Sequence, residues 1–141
     1  MKTKTKDGLI GMAVIVGAIV IFSALPESQP TPEEIAAEKA TVEECKKDLN
    51  CWADKNYSEA SARCLSIINA RVGDAAEWDD GSDLKLKYHR WLNRDKKTLT
   101  YYGESLLLRN AFGILNRQRF ECDYDPEKER LIGFRLKPVL S

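Results

Sequence analysis

The chain has 141 residues, 43% of them hydrophobic, and its 22 basic and 22 acidic side chains cancel to zero net charge. That length supports one modest domain rather than several, and the neutrality excludes a protein that holds nucleic acid through bulk positive charge. A single histidine, His89, leaves little material for histidine-based catalysis.

Lys2, Lys4 and Lys6 precede the run from Leu9 to Leu25, seventeen residues without a charge. As a helix this run is about 25 Å long, and it crosses a hydrocarbon core of about 30 Å if Lys6 snorkels and the bilayer thins slightly. A cleaved secretory signal fits the same outline. Its cleavage site fails, because cutting after Ala24 puts Phe22, and cutting after Ser23 puts Ile21, where a small residue is wanted. The expected layout is a basic cytoplasmic stretch at 1–8, a transmembrane signal anchor at 9–25, a Pro-rich spacer at 26–31 and an exported domain at 32–141. Ala13 and Gly17 form a small-xxx-small pair that leaves a homo-oligomer open, although apolar spans are rich in such residues.

Charge is unevenly spread along the exported part. Residues 26–83 carry 14 acidic and 6 basic side chains, a balance of minus 8, and residues 84–141 carry 13 basic and 7 acidic, a balance of plus 6. The two halves can attract each other, or the second can offer a basic face to an acidic partner.

Thr31, Pro32 and Glu34 give an N-cap, a first-turn proline and a capping box. Ile35, Val42, Cys45, Leu49 and Trp52 then recur at helical spacing, predicting a helix that fades near Asp54. Asn56 with Glu59 reads as a second cap, and Ala60, Cys64, Ile67, Ile68 and Val72 continue a second helix to Gly73. So short a turn predicts an antiparallel helical hairpin.

Cys45, Cys51, Cys64 and Cys122 are an even number in an exported segment, which predicts two disulfides. Spacings of five, twelve and 57 intervening residues, without CxxC, match neither ordinary zinc modules nor thioredoxin-like chemistry, so no metal or cofactor is expected. A turn centred near residue 55 sets Cys45 opposite Cys64 and leaves Cys51 for Cys122. Pairing Cys51 with Cys64 is one helical turn out of register and stays open.

Residues 73–83 read as an acidic loop whose carboxylate spacing departs from the EF-hand pattern, with Trp78 as a plug over the core or, if exposed, an interface residue. Beyond it the period changes to two. Leu84, Leu86 and Tyr88 alternate with Lys85, Lys87 and His89; residues 93–97 form a polar turn; 98–102 and 105–109 read as strands separated by a bulge or turn at Gly103 and Glu104; and 110–113 is another turn. From 114 to 124, Ile114, Phe120, Cys122 and Tyr124 share one face and Arg117, Arg119, Glu121 and Asp123 the other. After a turn at Asp125–Glu127, Ile132, Phe134 and Leu136 give the core side of a last strand. The predicted fold is α+β, a helical hairpin on a four- or five-stranded antiparallel sheet.

The cluster CxxxLxCWADK at Cys45–Lys55, then Cys64, Glu-Trp-Asp-Asp-Gly at 77–81, Phe112-Gly113 and ECDYDP at Glu121–Pro126 resemble a family of uncharacterised bacterial domains, usually exported or membrane-anchored. The resemblance covers roughly residues 40–138. Some relatives carry an N-terminal zinc ribbon that this chain does not. It implies the fold and export and transfers no catalytic residue; the lysine-flanked span sets the expected location, a bacterial inner membrane with the domain in the periplasm.

His89 has no nucleophile motif around it and reads as a surface or edge-strand residue. Glu121, Asp123 and Asp125 could serve a cell-wall hydrolase as paired carboxylates, but alternation puts the first two beside arginines, where ion pairing accounts for them, and Asp125 before Pro126 is a turn former. The expected function is therefore a non-enzymatic, membrane-anchored envelope binding domain with an unidentified envelope protein partner. One concrete version is a prophage or plasmid exclusion factor blocking DNA entry; the alternative is a periplasmic hydrolase using Asp or Glu. Tyr101, Tyr102, Arg117 and Arg119 are the expected interface residues on the sheet, nucleic acid is disfavoured except for DNA in transit, and the sequence leaves a small-molecule ligand open.

Overall fold

The computed structural model describes residues 28–79 and 85–140, so the expected span at 9–25 lies outside the described residues. Among those, no helix is long and apolar enough to cross a membrane. The part beginning at Thr31 forms one compact unit, an α+β domain in which two helices pack on a five-stranded antiparallel sheet. Helix α1 runs over Pro32–Cys45 and α2 over Leu49–Val72; the strands are β1 Ala76–Trp78, β2 Tyr88–Asn93, β3 Thr98–Arg109, β4 Leu115–Asp125 and β5 Arg130–Pro138.

The start of α1 follows the sequence closely. The Glu34 backbone N–H donates to Thr31 Oγ1 at 3.3 Å while the Thr31 backbone N–H donates to Glu34 Oε2 at 2.7 Å, closing the capping box. Its end does not. The chain breaks at Lys46–Asp48 rather than near residue 55. Asp48 caps α2 by accepting the Cys51 N–H at 2.8 Å. Asn56 instead donates to the Trp52 carbonyl at 2.7 Å inside a continuous helix, and Glu59 pairs with Arg63 at 2.6 Å. Continuity wins because Trp52, Ala53, Ala60, Cys64 and Ile68 then fall on one buried stripe. Helix α1 is exposed as far as Thr41, Ile35 included, and reaches the core only with Val42 and Cys45.

The moved break changes the cysteine pairing. Cys45 bonds Cys51 across the break, with Cα atoms 5.3 Å apart, and Cys64 bonds Cys122, with Cα atoms 6.0 Å apart. Both pairings raised from the sequence are thereby overturned, since each required a turn centred near residue 55. Two disulfides were expected and two are present. The second joins α2 to β4 and so staples helix to sheet.

Strands β3, β4 and β5 pair in order, and β1 and β2 share the outer edge of β3. Positions 98–109 form one strand, with the expected irregularity as a register shift between Gly103 and Leu106. Gly103 is needed there because a Cβ would collide with the Lys85 carbonyl and the Phe120 ring. Strand β2 starts at Tyr88, later than the alternation suggested, yet Leu86 is still buried. Leu99, Tyr101, Leu106, Phe120, Cys122 and Tyr124 form the buried core layer, with Leu131, Phe134 and Leu136 packed against it. Ile114 and Ile132 are exposed instead of inward. Ile114 lies before the first residue of β4, and a register shift between Asp123 and Tyr124 brings Leu131 inward in place of Ile132.

Candidate functional site

The sheet face opposite the buried layer is charged and is built in rows across four strands. Register sets Arg90, Thr100, Asp123 and Gly133 in one row and Tyr88, Tyr102, Glu121 and Arg135 in the next, with Arg119 opposite Lys137 beyond them. Period-two alternation explains why Glu121 and Asp123 share this face while Cys122 between them faces the other way.

Both carboxylates are buried, Glu121 at 3% and Asp123 at 5% exposure, and the Arg135 guanidinium lies between them. Its Nη1 donates to Asp123 Oδ2 at 2.5 Å and its Nη2 to Asp123 Oδ1 at 3.0 Å; Nη2 and Nε donate to Glu121 Oε2 at 3.0 and 3.1 Å. Arg90 Nη2 adds a bond to Glu121 Oε2 at 3.1 Å, and Thr100 Oγ1 donates to Asp123 Oδ1 at 2.6 Å. Arg119 Nε and Lys137 Nζ stand 3.3 and 3.5 Å from Glu121. Gly133 makes the arrangement fit, because a Cβ there would lie 2.6 Å from Asp123 Oδ2.

Burial by itself pushes both carboxyls up, but the bonds from Arg135 and Arg90 to Glu121, and from Arg135 and Thr100 to Asp123, outweigh it and hold both below the ordinary carboxylate range. The Arg135 guanidinium is raised in turn, chiefly by its bond to Asp123. Asp125 is also buried, and its Oδ1 accepts the Glu127 and Lys128 N–H groups at 3.1 and 3.3 Å, the turn-forming part expected of it.

The expected interface residues separate. Tyr102 belongs to the charged face: Tyr88 stacks on it at 5.3 Å between centroids, and the Arg119 and Arg90 guanidinium carbons lie 4.4 and 5.1 Å from its ring centre. Tyr101 is fully buried on the opposite face, donating its hydroxyl to the Ala53 carbonyl at 2.7 Å, so it cannot anchor a partner there. Adjacent strand residues point oppositely, so the two tyrosines cannot share one docking face. Arg117 does not join Glu121; it pairs with Asp79 and donates to the Glu104 carbonyl at 3.1 Å. Trp78 is half-buried edge-on against Phe120 at 5.6 Å, as a plug over the core would be. Sequence reasoning missed Tyr88, Arg90 and Arg135. Only the strand register brings them to Glu121 and Tyr102.

His89 lies with Nε2 2.9 Å from Asn50 Oδ1 and its ring edge toward Tyr101. Among the described residues no group of three or more His, Cys, Asp or Glu has the geometry to hold a metal ion. A groove of about 630 Å³ runs along the Cys45–Cys51 disulfide, walled by Thr41, Val42, Lys47 and Lys55; it is the hollow left by the helix break, remote in the chain from the ionic rows.

Comparison with protein-family models, with curated proteins and with solved structures returns no match, so the assignment that follows rests on the residues of this chain.

Proposed function

We propose that this protein is a non-catalytic binding domain of a bacterial envelope, tethered to the inner membrane by residues 9–25, with the charged sheet face as its docking surface. The observation that carries the reading is the pair Glu121 and Asp123, buried and locked as anions under guanidinium groups. A wall hydrolase needs one carboxyl held protonated to serve as general acid, and both of these are shifted the other way. What the pair does supply is rigidity, fixing Arg90, Arg119 and Arg135 beside stacked tyrosines, the residue types that anchor protein interfaces. The two disulfides support folding in an oxidising compartment.

A small tethered domain of this kind suits an accessory role at an envelope machine, and exclusion of incoming phage or plasmid DNA is its concrete form. A photocrosslinking residue in place of Tyr88, in cells carrying the full chain, is expected to trap one envelope protein, and cells expressing the protein to resist phage infection or plasmid entry. No trapped protein together with unchanged entry sinks the proposal. Turnover of purified wall polymer, abolished by alanine at Glu121 or Asp123, restores the hydrolase.

A further inference from the structure

Of the seven large hydrophobic residues that are exposed among the described positions, Tyr88, Leu92 and Ile132 lie on or beside the charged sheet face. Leu92 and Ile132 line a depression of about 430 Å³ that continues the face past Thr98 and Asp125, rimmed by Lys96, Lys128 and Arg130. Lys128 pairs with the buried Asp125 at 3.5 Å while Lys96 and Arg130 line the same depression, and next to it Arg90, Arg119, Arg135 and Lys137 face Glu121 and Asp123, with Glu104 as a third carboxylate 3.5 Å from Arg119. Positive charge is in surplus at both, and an apolar dent sits between cationic rims.

We infer that the partner presents an acidic protein segment carrying an apolar side chain, its carboxylates meeting Arg90, Arg119 and Lys137 and its apolar group filling the dent between Leu92 and Ile132. The inference rests on the docking surface proposed above and names what docks there. Charge complementarity requires an anionic occupant. Shape selects a protein segment over a lipid surface: guanidinium forks fixed by buried carboxylates match carboxylates in defined positions, and a dent for one side chain has no counterpart in a headgroup layer. Duplex or single-stranded nucleic acid fits less well, because Glu121 and Asp123 occupy the middle of the track a phosphate backbone would follow.

The test is a random peptide library displayed on phage and selected against the immobilised domain, residues 31–141, which contains both disulfides and the whole core. Recovered peptides are expected to be rich in Asp and Glu around one apolar residue. Arg90→Glu should weaken them by about tenfold or more. Because Arg90 bonds Glu121, Leu92→Asp serves as a second variant that leaves the ionic rows intact and should weaken binding similarly, while Lys55→Glu on exposed α2 surface should not. Circular dichroism and absence of free thiols confirm folding of each variant. Neutral or basic peptides that still lose affinity with Leu92→Asp overturn the acidic partner and keep the docking face. Peptides indifferent to both face variants, or no binders, overturn both. Binding to vesicles of phosphatidylglycerol and phosphatidylcholine in equal parts, as tight as to the peptides, transfers the face to lipid and overturns the inference.

Discussion

Gly133 carries more of the charged face than its lack of a side chain suggests. It is the one place in its row where Asp123 can lie against β5 and meet Arg135, since a methyl group would stand 2.6 Å from the carboxylate oxygen. Gly133→Ala must therefore push Asp123 or the strand aside, an overpacking cost of about 1–3 kcal/mol. Thermal unfolding of the variant should begin at least about 4 °C lower, with Arg135 losing the bonds to Asp123 that fix it. Acid tests the same bonds. The folded-state pKa of Glu121 and of Asp123 lies below its unfolded value of about 4, so their stabilising contribution is complete above that pH and is lost as pH falls through the lower folded values. Urea midpoints measured from neutral pH downward should hold steady and then drop below about pH 4. In a Glu121→Gln, Asp123→Asn double variant the drop should be shallower, even though the variant starts from a lower stability. An equally steep acid limb in the variant would remove these carboxylates from the account.

At the scale of elements, the two disulfides do different work. Cys45–Cys51 closes a loop of sequence separation 6 at the helix break, whereas Cys64–Cys122 spans a separation of 58 and ties α2 to the middle of the sheet. Chain-entropy reasoning assigns about 2 kcal/mol to the first and about 4 kcal/mol to the second. Serine pairs at each site should show that ordering in denaturant midpoints. Mild reductant should open Cys45–Cys51 first, because Cys51 is exposed while Cys64 and Cys122 are sealed in the core; alkylation followed by peptide mapping reads the order directly. These elements also show what the sequence could and could not disclose. The capping box at Thr31, the strand alternation from Phe120 to Tyr124 and the turns at 94–97 and 110–113 are local and were legible. The helix break was not, because Asn56 and Asp48 are both good caps, and the choice between them is made by Trp52 and Ala60 meeting the sheet, a long-range event. With the break misplaced by roughly two turns, the pairing of the cysteines followed it. The charged face was half legible for the same reason. Alternation within β4 placed Glu121 and Asp123 correctly, but Arg90 and Arg135 come from strands whose register is not written locally; within 98–102 the same alternation groups Tyr101 with Leu99 and Tyr102 with Thr98 and Thr100, a local signal that Tyr101 is the one turned inward.

At the scale of the whole molecule, the stability of the domain is tied to the oxidation state of its four cysteines. Its buried apolar layer is about a dozen side chains, α1 adds only Val42 and Cys45 to it, and three carboxylates occupy buried places on the other face. A domain of this size has a net stability of about 5–15 kcal/mol, against which two cystines contributing together about 6 kcal/mol are a large fraction. The chain is then expected to be marginal wherever its thiols stay reduced, and sound only where they oxidise. Residues 31–141 produced in a reducing cytosol should accumulate mostly unfolded or be degraded, while the same residues directed to an oxidising compartment should yield folded protein with no free thiols. Protease resistance and thiol alkylation, applied side by side to both, measure the difference. The comparison also bears on the tether. On the proposed export by the uncharged run at 9–25, removing 1–25 from the full chain should reproduce the cytosolic failure. Folded, protease-resistant protein with four reduced thiols after that deletion would uncouple folding from export and leave the disulfides as accessories.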